Sequence, residues 1–370
     1  MKVLMVAPSV RVPDTLGQTL HQLALANGLA KRGIEVTLLC RYDSSGGSEN
    51  FDSNLNFLSI NDPKLPFERL IFTYNSYKSA LKELKSGNYD LVHDRGYIFA
   101  GSGVRAAVEC GVKSILQVDD NWIRSERSAT KFAKYWLYNK KAIESCYNQI
   151  EKANGGFTVS AVLREQITKW NSKAHNFEVI QNGYESDLFV PDVKPLGIKQ
   201  KLGITGKLAV FVGALGPWHG IDEIISIAKD NSSLNVVVAG GGYGKNLPVV
   251  ENLHHIGRLG RDEVPRLLVE ADIGLAPYPN LDYGFSPLKI YEYMGCKLPV
   301  FATDLPSVRE ATEGNAFLAK PGNLSTLVSS LIDNDNELNK IAESAYDYAT
   351  KRRTWDNTID ETIELYEKIL

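Results

Sequence analysis

The chain predicts two doubly wound α/β domains, and three observations lead there. Short apolar strands alternate with helical segments over both halves of the sequence. Turn residues and prolines cluster between Asn182 and Pro195, where a linker would fall. The length, 370 residues, exceeds one ordinary domain and is comfortable for two.

The first series opens at Val3 to Ala7, which is apolar without alternation and so reads as a strand buried on both faces. A loop with Pro8 and Pro13 is expected next, then a helix from Leu16 to Arg32 carrying Leu16, Leu20, Leu23, Ala24 and Ala30 at helical spacing. Gly33 stops it, and Val36 to Cys40 is the next strand, completing a βαβ unit. Further strands are expected at Leu91 to His93, Ile115 to Val118, Phe157 to Val159 and Val179 to Gln181, with helices at Phe67 to Lys85 and Thr130 to Lys152. Ser44 to Ser48 reads as a short flexible loop.

The second series runs Leu208 to Val212 (strand), Asp222 to Lys229 (helix) and Asn235 to Ala239 (strand). Strands at His255-Ile256, Ile273 to Ala276 and Leu298 to Ala302 follow, with helices at Arg261 to Glu270, Pro287 to Met294 and Ser307 to Ala311. A last helix covers Asp356 to Leu370. The expected division is 1–184, 185–350 and 351–370.

Bulk properties exclude several classes. With 41 basic and 44 acidic side chains the whole-chain charge gives no nucleic-acid signature, and no nucleic-acid partner is expected. Cys40, Cys110, Cys146 and Cys296 stand far apart, with neither metal-ligand spacing nor a disulfide framework. A reducing, cytoplasmic setting fits. Met1 to Pro8 lacks the long apolar core of a signal peptide, and no run approaches the roughly 20 residues of a membrane span. The segment 122–142 carries Arg124, Arg127, Lys131, Lys134, Lys140 and Lys141 among aromatic residues. It reads either as a helix with a solvated basic face or as a peripheral contact with an anionic bilayer.

Asp282 to Asp304 carries the densest chemistry. A glycine loop leads into a helix that starts at Ser286-Pro287, ends at Gly295 and is followed by an apolar strand. Unpaired N–H groups and a partial positive charge make a helix N-terminus a phosphate site. Lys289 lies in the first turn, where the helix dipole disfavours a cation, so a site is expected there rather than scaffold. Pro287 donates no N–H, and the Lys289 ammonium could compensate for it.

The segment resembles the donor-binding motif of the retaining GT-B glycosyltransferases of family four: Glu, seven residues, Glu, usually followed by Ala-Met-Ala-x-Gly and Pro-Val-Val. Glu292 stands at the second glutamate, and Met294-Gly295 with Pro299-Val300 match the tail. Gly284 stands at the first, a departure, whereas Ser286-Pro-Leu-Lys289 fits a known variant. Asn182-Gly183 to Phe189-Val190-Pro191 is similar to the family's interdomain signature. Gly213-Ala-Leu-Gly-Pro-Trp-His-Gly220 is similar to its phosphate loop in a Trp-His-Gly form, with Ala214 and His219 where Arg and Lys usually stand.

The resemblance implies a GT-B fold, two Rossmann-like domains facing across a cleft, with the acceptor on the first, the donor on the second and the C-terminal helix returning to the first. It implies a hexosyltransferase that acts with retention, without a metal and without a cofactor. The donor is a nucleotide-diphosphate sugar, taken as a UDP-sugar, and the acceptor is a glycan, a lipid-linked sugar or a small molecule. Lys289 would stabilise the departing diphosphate, helped by Ser286 and the N–H groups of Ser286 and Leu288. His219 would hydrogen-bond the phosphates, carrying charge only if its pKa is raised; otherwise it is a loop histidine that caps the next helix. Glu292 would accept the ribose hydroxyls. Gly17 and Gly213 would let backbone approach the donor, and Arg258-Leu259 would read the base. Asp282, or backbone groups of Gly284 and Phe285, would take over the missing first glutamate's contact with the sugar.

Asp119 follows a strand end, where α/β sheets place ligands. It could bind a sugar hydroxyl, take the acceptor proton, or cap the next helix. His21 reads as a helix-face residue. Asp333-Asn-Asp335 has the form of a metal motif but lies in a polar turn. Two rivals share the fold: a non-catalytic nucleotide-sugar-binding partner and a sugar-nucleotide epimerase. A nicotinamide dehydrogenase is disfavoured because the first βα loop lacks Gly-x-Gly-x-x-Gly.

Overall fold

The structure is a computed structural model that describes residues 1–13, 17–43, 51–60, 68–122, 136–242 and 246–370, without the side chains of 68–70, 136 and 138. Leu16, the loop Ser44 to Ser48, Phe67, most of the basic segment 122–142 and Tyr243-Gly244 lie outside the described residues. The chain divides into two units. The first comprises Met1–Asn182, Tyr283–Phe285 and Trp355–Leu370; the second comprises Gly183–Asp282 and Ser286–Thr354.

In the first unit the strands are β1 (Lys2–Val12), β2 (Glu35–Tyr42), β3 (Leu55–Ser59), β4 (Leu91–Arg95), β5 (Lys113–Val118), β6 (Gly155–Thr158) and β7 (Glu178–Val179). They form a parallel sheet in the order β3-β2-β1-β4-β5-β6-β7. Helices α1 (Gly17–Lys31), α2 (Glu68–Ser86), α3 (Ser102–Cys110), α4 (Trp136–Lys152) and α5 (Ala161–Thr168) connect them. Val3 to Ala7 is wholly buried, as an unalternating apolar run should be.

Two differences from the sequence reading have clear causes. β1 runs on through Pro8 to Val12 instead of breaking into a loop. Its ladder with β2 is interrupted between Val6 and Arg11, and its pairing with β4 covers Val3 to Val6. Pro8, which lacks an N–H, occupies that gap in the ladder. β3 was not foreseen, because an edge strand reading Leu-Asn-Phe-Leu-Ser carries little periodic signal.

In the second unit β8 (Leu208–Val212), β9 (Asn235–Ala239), β10 (Leu253–Gly257), β11 (Ile273–Ala276), β12 (Val300–Thr303) and β13 (Phe317–Ala319) form a parallel sheet. Its order is β10-β9-β8-β11-β12-β13. The helices are α6 (Ile198–Leu202), α7 (Ile221–Asp230), α8 (Glu263–Leu268), α9 (Leu288–Gly295), α10 (Pro306–Thr312), α11 (Leu324–Leu331) and α12 (Asp335–Arg352). Asn334 caps α12, its Oδ1 accepting the Glu337 N–H at 3.3 Å, so Asp333 to Asp335 is a turn and helix start.

The last helix, α13 (Trp355–Ile369), belongs to the first unit. Ile359, Leu365 and Tyr366 join Val3, Met5 and Leu29 in one core. A Cβ on Gly28 of α1 would lie 2.0 Å from Ile359 Cδ1, so glycine permits the close approach of the two helices. Buried by both the sheet and α13, α1 is apolar or sheltered on most sides, including His21 and Gln22.

Candidate functional site

In an open parallel sheet a ligand crevice forms where the strand order reverses, beyond the carboxyl ends. In the second unit that point lies between β8 and β11. Tyr293 of α9 ties the two strands there: its hydroxyl accepts the Val212 N–H at 2.9 Å and donates to the Leu275 carbonyl at 3.4 Å. Gly274 in β11 leaves room for the ring, since a Cβ there would sit 2.6 Å from it. The Gly220 N–H donates to the Pro277 carbonyl at 3.0 Å and joins the loops that follow the two strands.

Two glycines shape the floor. Gly213 has φ 151°, and a Cβ on it would lie 2.9 Å from Lys289 Nζ and 3.3 Å from His219 Cε1. Gly240, also at φ 151°, passes so near Gly213 that a Cβ would meet its carbonyl oxygen at 1.8 Å. A side chain at Gly213 would fill the space beside the lysine, and one at Gly240 would collide with the Gly213 backbone.

Lys289 sits in the first turn of α9, and its Nζ is buried without a hydrogen-bond partner. It lies 4.0 Å from the centre of the Phe211 ring, whose π face is its nearest compensation. Burial pushes the ammonium down to about 7, against the pull of Glu292. A buried amine with its donors unused on a flexible stem can, when protonated, meet an anion.

His219 departs from its expected role. Its Nδ1 lies 2.6 Å from the Ala214 carbonyl, so Nδ1 carries the proton and Nε2 presents a lone pair. Burial, reinforced by the neighbouring Lys289 charge, pushes the imidazole down to about 3. It is neutral at physiological pH and accepts at Nε2, so it does not supply a second cation for phosphates. Leu288 also departs: its N–H donates back to the Ser286 carbonyl at 3.2 Å, inside its own turn.

Glu292 is 9% exposed, and its carboxylate accepts from Arg261 NH1 at 2.7 Å. Arg261 also donates from Nε to Glu185 at 2.9 Å, and its guanidinium lies 4.6 Å from the centre of the Phe189 ring. Sequence reading missed Arg261 because it assigned the residue to a helix. The helix starts at Glu263, and a Gly260–Glu263 turn precedes it, with the Gly260 N–H donating to Glu263 Oε2 at 2.7 Å. Nothing local in the sequence marks the pair, because Arg261 and Glu292 stand 31 residues apart and meet only in the fold.

Of the remaining expected residues, Arg258 is exposed and its side chain runs beside Gly241 and Gly242, while Leu259 is half-buried. Asp282 is exposed at the edge of the second unit. Gly284 and Phe285 group with the first unit, where the Gly284 N–H donates to Gln166 Oε1 at 3.1 Å. That N–H is committed and does not replace the missing glutamate. A Cβ at Gly284 would lie 2.4 Å from the Leu163 nitrogen, so no glutamate could stand there.

In the first unit the order reverses between β1 and β4, and a directed chain of polar groups lies nearby. His93 Nε2 lies 2.7 Å from Gln117 Oε1, which can only accept, so His93 Nδ1 accepts from the Tyr366 hydroxyl at 2.6 Å. Gln117 donates to Asp119 at 2.8 Å. Asp119 accepts from Arg95 Nε at 2.6 Å, and Arg95 reaches Ser9 Oγ at 2.8 Å. Burial is the largest single influence and would raise the Asp119 carboxyl, but the Arg95 guanidinium, His21 and the Gln117 amide together hold the group below the usual carboxylate range. Asp119 is therefore an ion-paired anchor and not a proton acceptor poised near neutrality. His21 belongs to this group rather than to a plain helix face, with Nδ1 4.0 Å from Asp119 and its ring packed on Trp355. Gly17 is exposed at the start of α1.

Among the described residues no three His, Cys, Asp or Glu side chains gather closely enough to hold a metal ion, and no helix is long and apolar enough to cross a membrane. Of the basic segment, Trp122 is buried against Trp170, and Lys141 pairs with Glu144 at 2.8 Å.

Two parallel α/β units, one with a glycine-lined lysine at its switch point, make a chain of two doubly wound domains. Residues 16–188 match Glycosyltransferase Family 4, and residues 197–348 match Glycosyl transferases group 1. The chain belongs to the group 1 glycosyltransferases of GT-B fold. It is similar to the D-inositol 3-phosphate glycosyltransferase of Mycolicibacterium gilvum (strain PYR-GCK), at 22% identity over 96% of this chain and 86% of that protein. Among solved structures it resembles sucrose-phosphate synthase from Thermosynechococcus elongatus, with TM-score 0.80, 13% identity and coverage of 100% of this chain and 98% of that one. It also resembles Anabaena HepE in complex with UDP-glucose, with TM-score 0.75, 16% identity and full coverage of both chains.

Proposed function

We propose that this glycosyltransferase moves a hexosyl group from a UDP-sugar to a hydroxyl acceptor, with retention of anomeric configuration and without a divalent metal. The observation that carries the reading is the buried, unpartnered Lys289 ammonium beside the Gly213 backbone at the switch point of the second sheet. The fold it shares with HepE, solved with UDP-glucose, supports the choice of nucleotide.

In this reading Lys289 leaves the Phe211 ring to meet the diphosphate and stabilises the charge that grows as the sugar departs. Glu292, held by Arg261, accepts the ribose hydroxyls. Backbone groups of Arg258-Leu259 read the base, and His219 Nε2 accepts a hydroxyl of the donor sugar. The bond from the anomeric carbon to the phosphate oxygen breaks, and the bond from that carbon to the acceptor oxygen forms. The acceptor proton passes to the departing phosphate oxygen on the same face, so no separate side-chain base is required.

The test begins with calorimetric titration of UDP, GDP, ADP and TDP in EDTA. Selective binding of UDP is expected, followed by slow release of UDP from a matching UDP-hexose in the same buffer. Binding only after a divalent ion is added would overturn the metal-free reading. No binding of any nucleotide would overturn the donor assignment. The product's anomeric coupling constant, read by NMR, decides between retention and inversion.

A further inference from the structure

The Lys289 amine and the Glu292 carboxylate are three residues apart on α9, a spacing that makes them neighbours on a helix surface. Opposite charges so placed would ordinarily pair. Here the lysine is unpartnered, and Glu292 Oε1 is bonded to Arg261 instead. We propose that Arg261 is a positioning residue that draws the Glu292 carboxylate away from Lys289, so that the lysine stays open to the donor's phosphates. The inference rests on the donor site proposed above.

Three features suit Arg261 to this task. Its planar fork serves two carboxylates at once, Glu292 at 2.7 Å and Glu185 at 2.9 Å, which an ammonium's point charge would do with less directional control. Its guanidinium is backed by the buried Phe189 ring at 4.6 Å. The Gly260–Glu263 turn, closed at 2.7 Å and 3.1 Å, fixes the backbone from which it projects. If the guanidinium is removed, the 9%-exposed Glu292 is a near-buried anion that has lost its cation. The basic group available to it on its own helix is Lys289. Once paired there, the lysine has its charge compensated and binds a phosphate poorly.

The experiment is UDP titration by calorimetry on five proteins: wild type, Arg261→Met, Glu292→Gln, the double variant Arg261→Met/Glu292→Gln, and Arg261→Lys. Arg261→Met is expected to weaken binding tenfold or more. The double variant is expected to bind at least threefold more tightly than Arg261→Met, because glutamine cannot form the ion pair with Lys289. Arg261→Lys is expected to restore affinity to within about threefold of wild type. Arg261→Gln, which keeps the side-chain length without the charge, replaces Arg261→Met if thermal melting shows that the latter does not fold. Binding by Arg261→Met within twofold of wild type would overturn the proposal. So would a double variant as weak as, or weaker than, Arg261→Met, which is the result a purely structural arginine gives. A wild type that binds no UDP overturns the donor-site reading itself, and this inference with it.

Discussion

In the proposed reading, Lys289 meets the donor's diphosphate through one buried nitrogen. Truncation to alanine should weaken UDP binding about 30-fold, the equivalent of ~2 kcal/mol for one charge-assisted hydrogen bond. Titration calorimetry reads it directly. Its proton is also conditional. The unliganded ammonium is pushed down to about 7 from an ordinary 10.5, so the folded protein binds fewer protons here than the unfolded chain. This residue's contribution to stability therefore rises with pH between about 7 and 10.5 and is unfavourable below that window. Urea denaturation of wild type and Lys289→Met should show a stability gap favouring the variant at pH 7 that shrinks by pH 9.5. Nucleotide binding has the opposite sign, because a diphosphate prefers the charged amine: affinity should fall as pH rises through 7 to 9, and Lys289→Arg should flatten the dependence. Asp119, in contrast, already has its countercharge in Arg95, and Asp119→Asn should weaken the first unit rather than remove a catalytic proton step.

At the scale of elements, α9 is the piece that makes the site. It supplies Lys289 at its start and, one turn on, Glu292 and Tyr293, and the Tyr293 hydroxyl joins the ends of β8 and β11. Tyr293→Phe leaves the Val212 N–H without its acceptor and should cost about 1–3 kcal/mol, measured by chemical denaturation. If no loss is observed, the tie between the strands is not a stabilising one. Gly213→Ala is a sharper test of the floor, since the added methyl would sit within contact of the lysine nitrogen and the histidine ring. It should abolish UDP binding while the circular-dichroism spectrum stays that of wild type.

At the scale of the molecule, the chain leaves its second unit at Thr354 and completes the first with α13. Ile359 is buried against Gly28, and Tyr366 hydrogen-bonds His93 beneath the polar group of the first sheet. Ile359→Ala should cost about 2–5 kcal/mol through the cavity it opens. If the two units unfold as separate transitions, followed by calorimetry, the loss should appear in the transition of the first unit and leave the other in place.

Much of this was legible in sequence. Unalternating runs such as Leu208 to Val212, Asn235 to Ala239 and Ile273 to Ala276 mark strands covered on both faces, and their boundaries coincide with the observed strands. Lys289 was visible because a cation at a helix start breaks a local rule that depends only on neighbours in the chain, and Glu292 because the segment around it resembles a known family motif. The edge strand β3 and the run of β1 through Pro8 were not visible, because pairing with a distant strand decides them. Nor were the states of His219 and Asp119: a carbonyl five residues away fixes one tautomer, and an arginine from another strand fixes the other's charge. The sequence by itself determined the two alternating α/β series and the lysine at the helix start, since these follow from local periodicity and local charge. Tertiary structure alone decided that Arg261 takes Glu292, that Lys289 is left unpartnered and that His219 is neutral, because burial and partners brought from far along the chain set charge and hydrogen-bond direction.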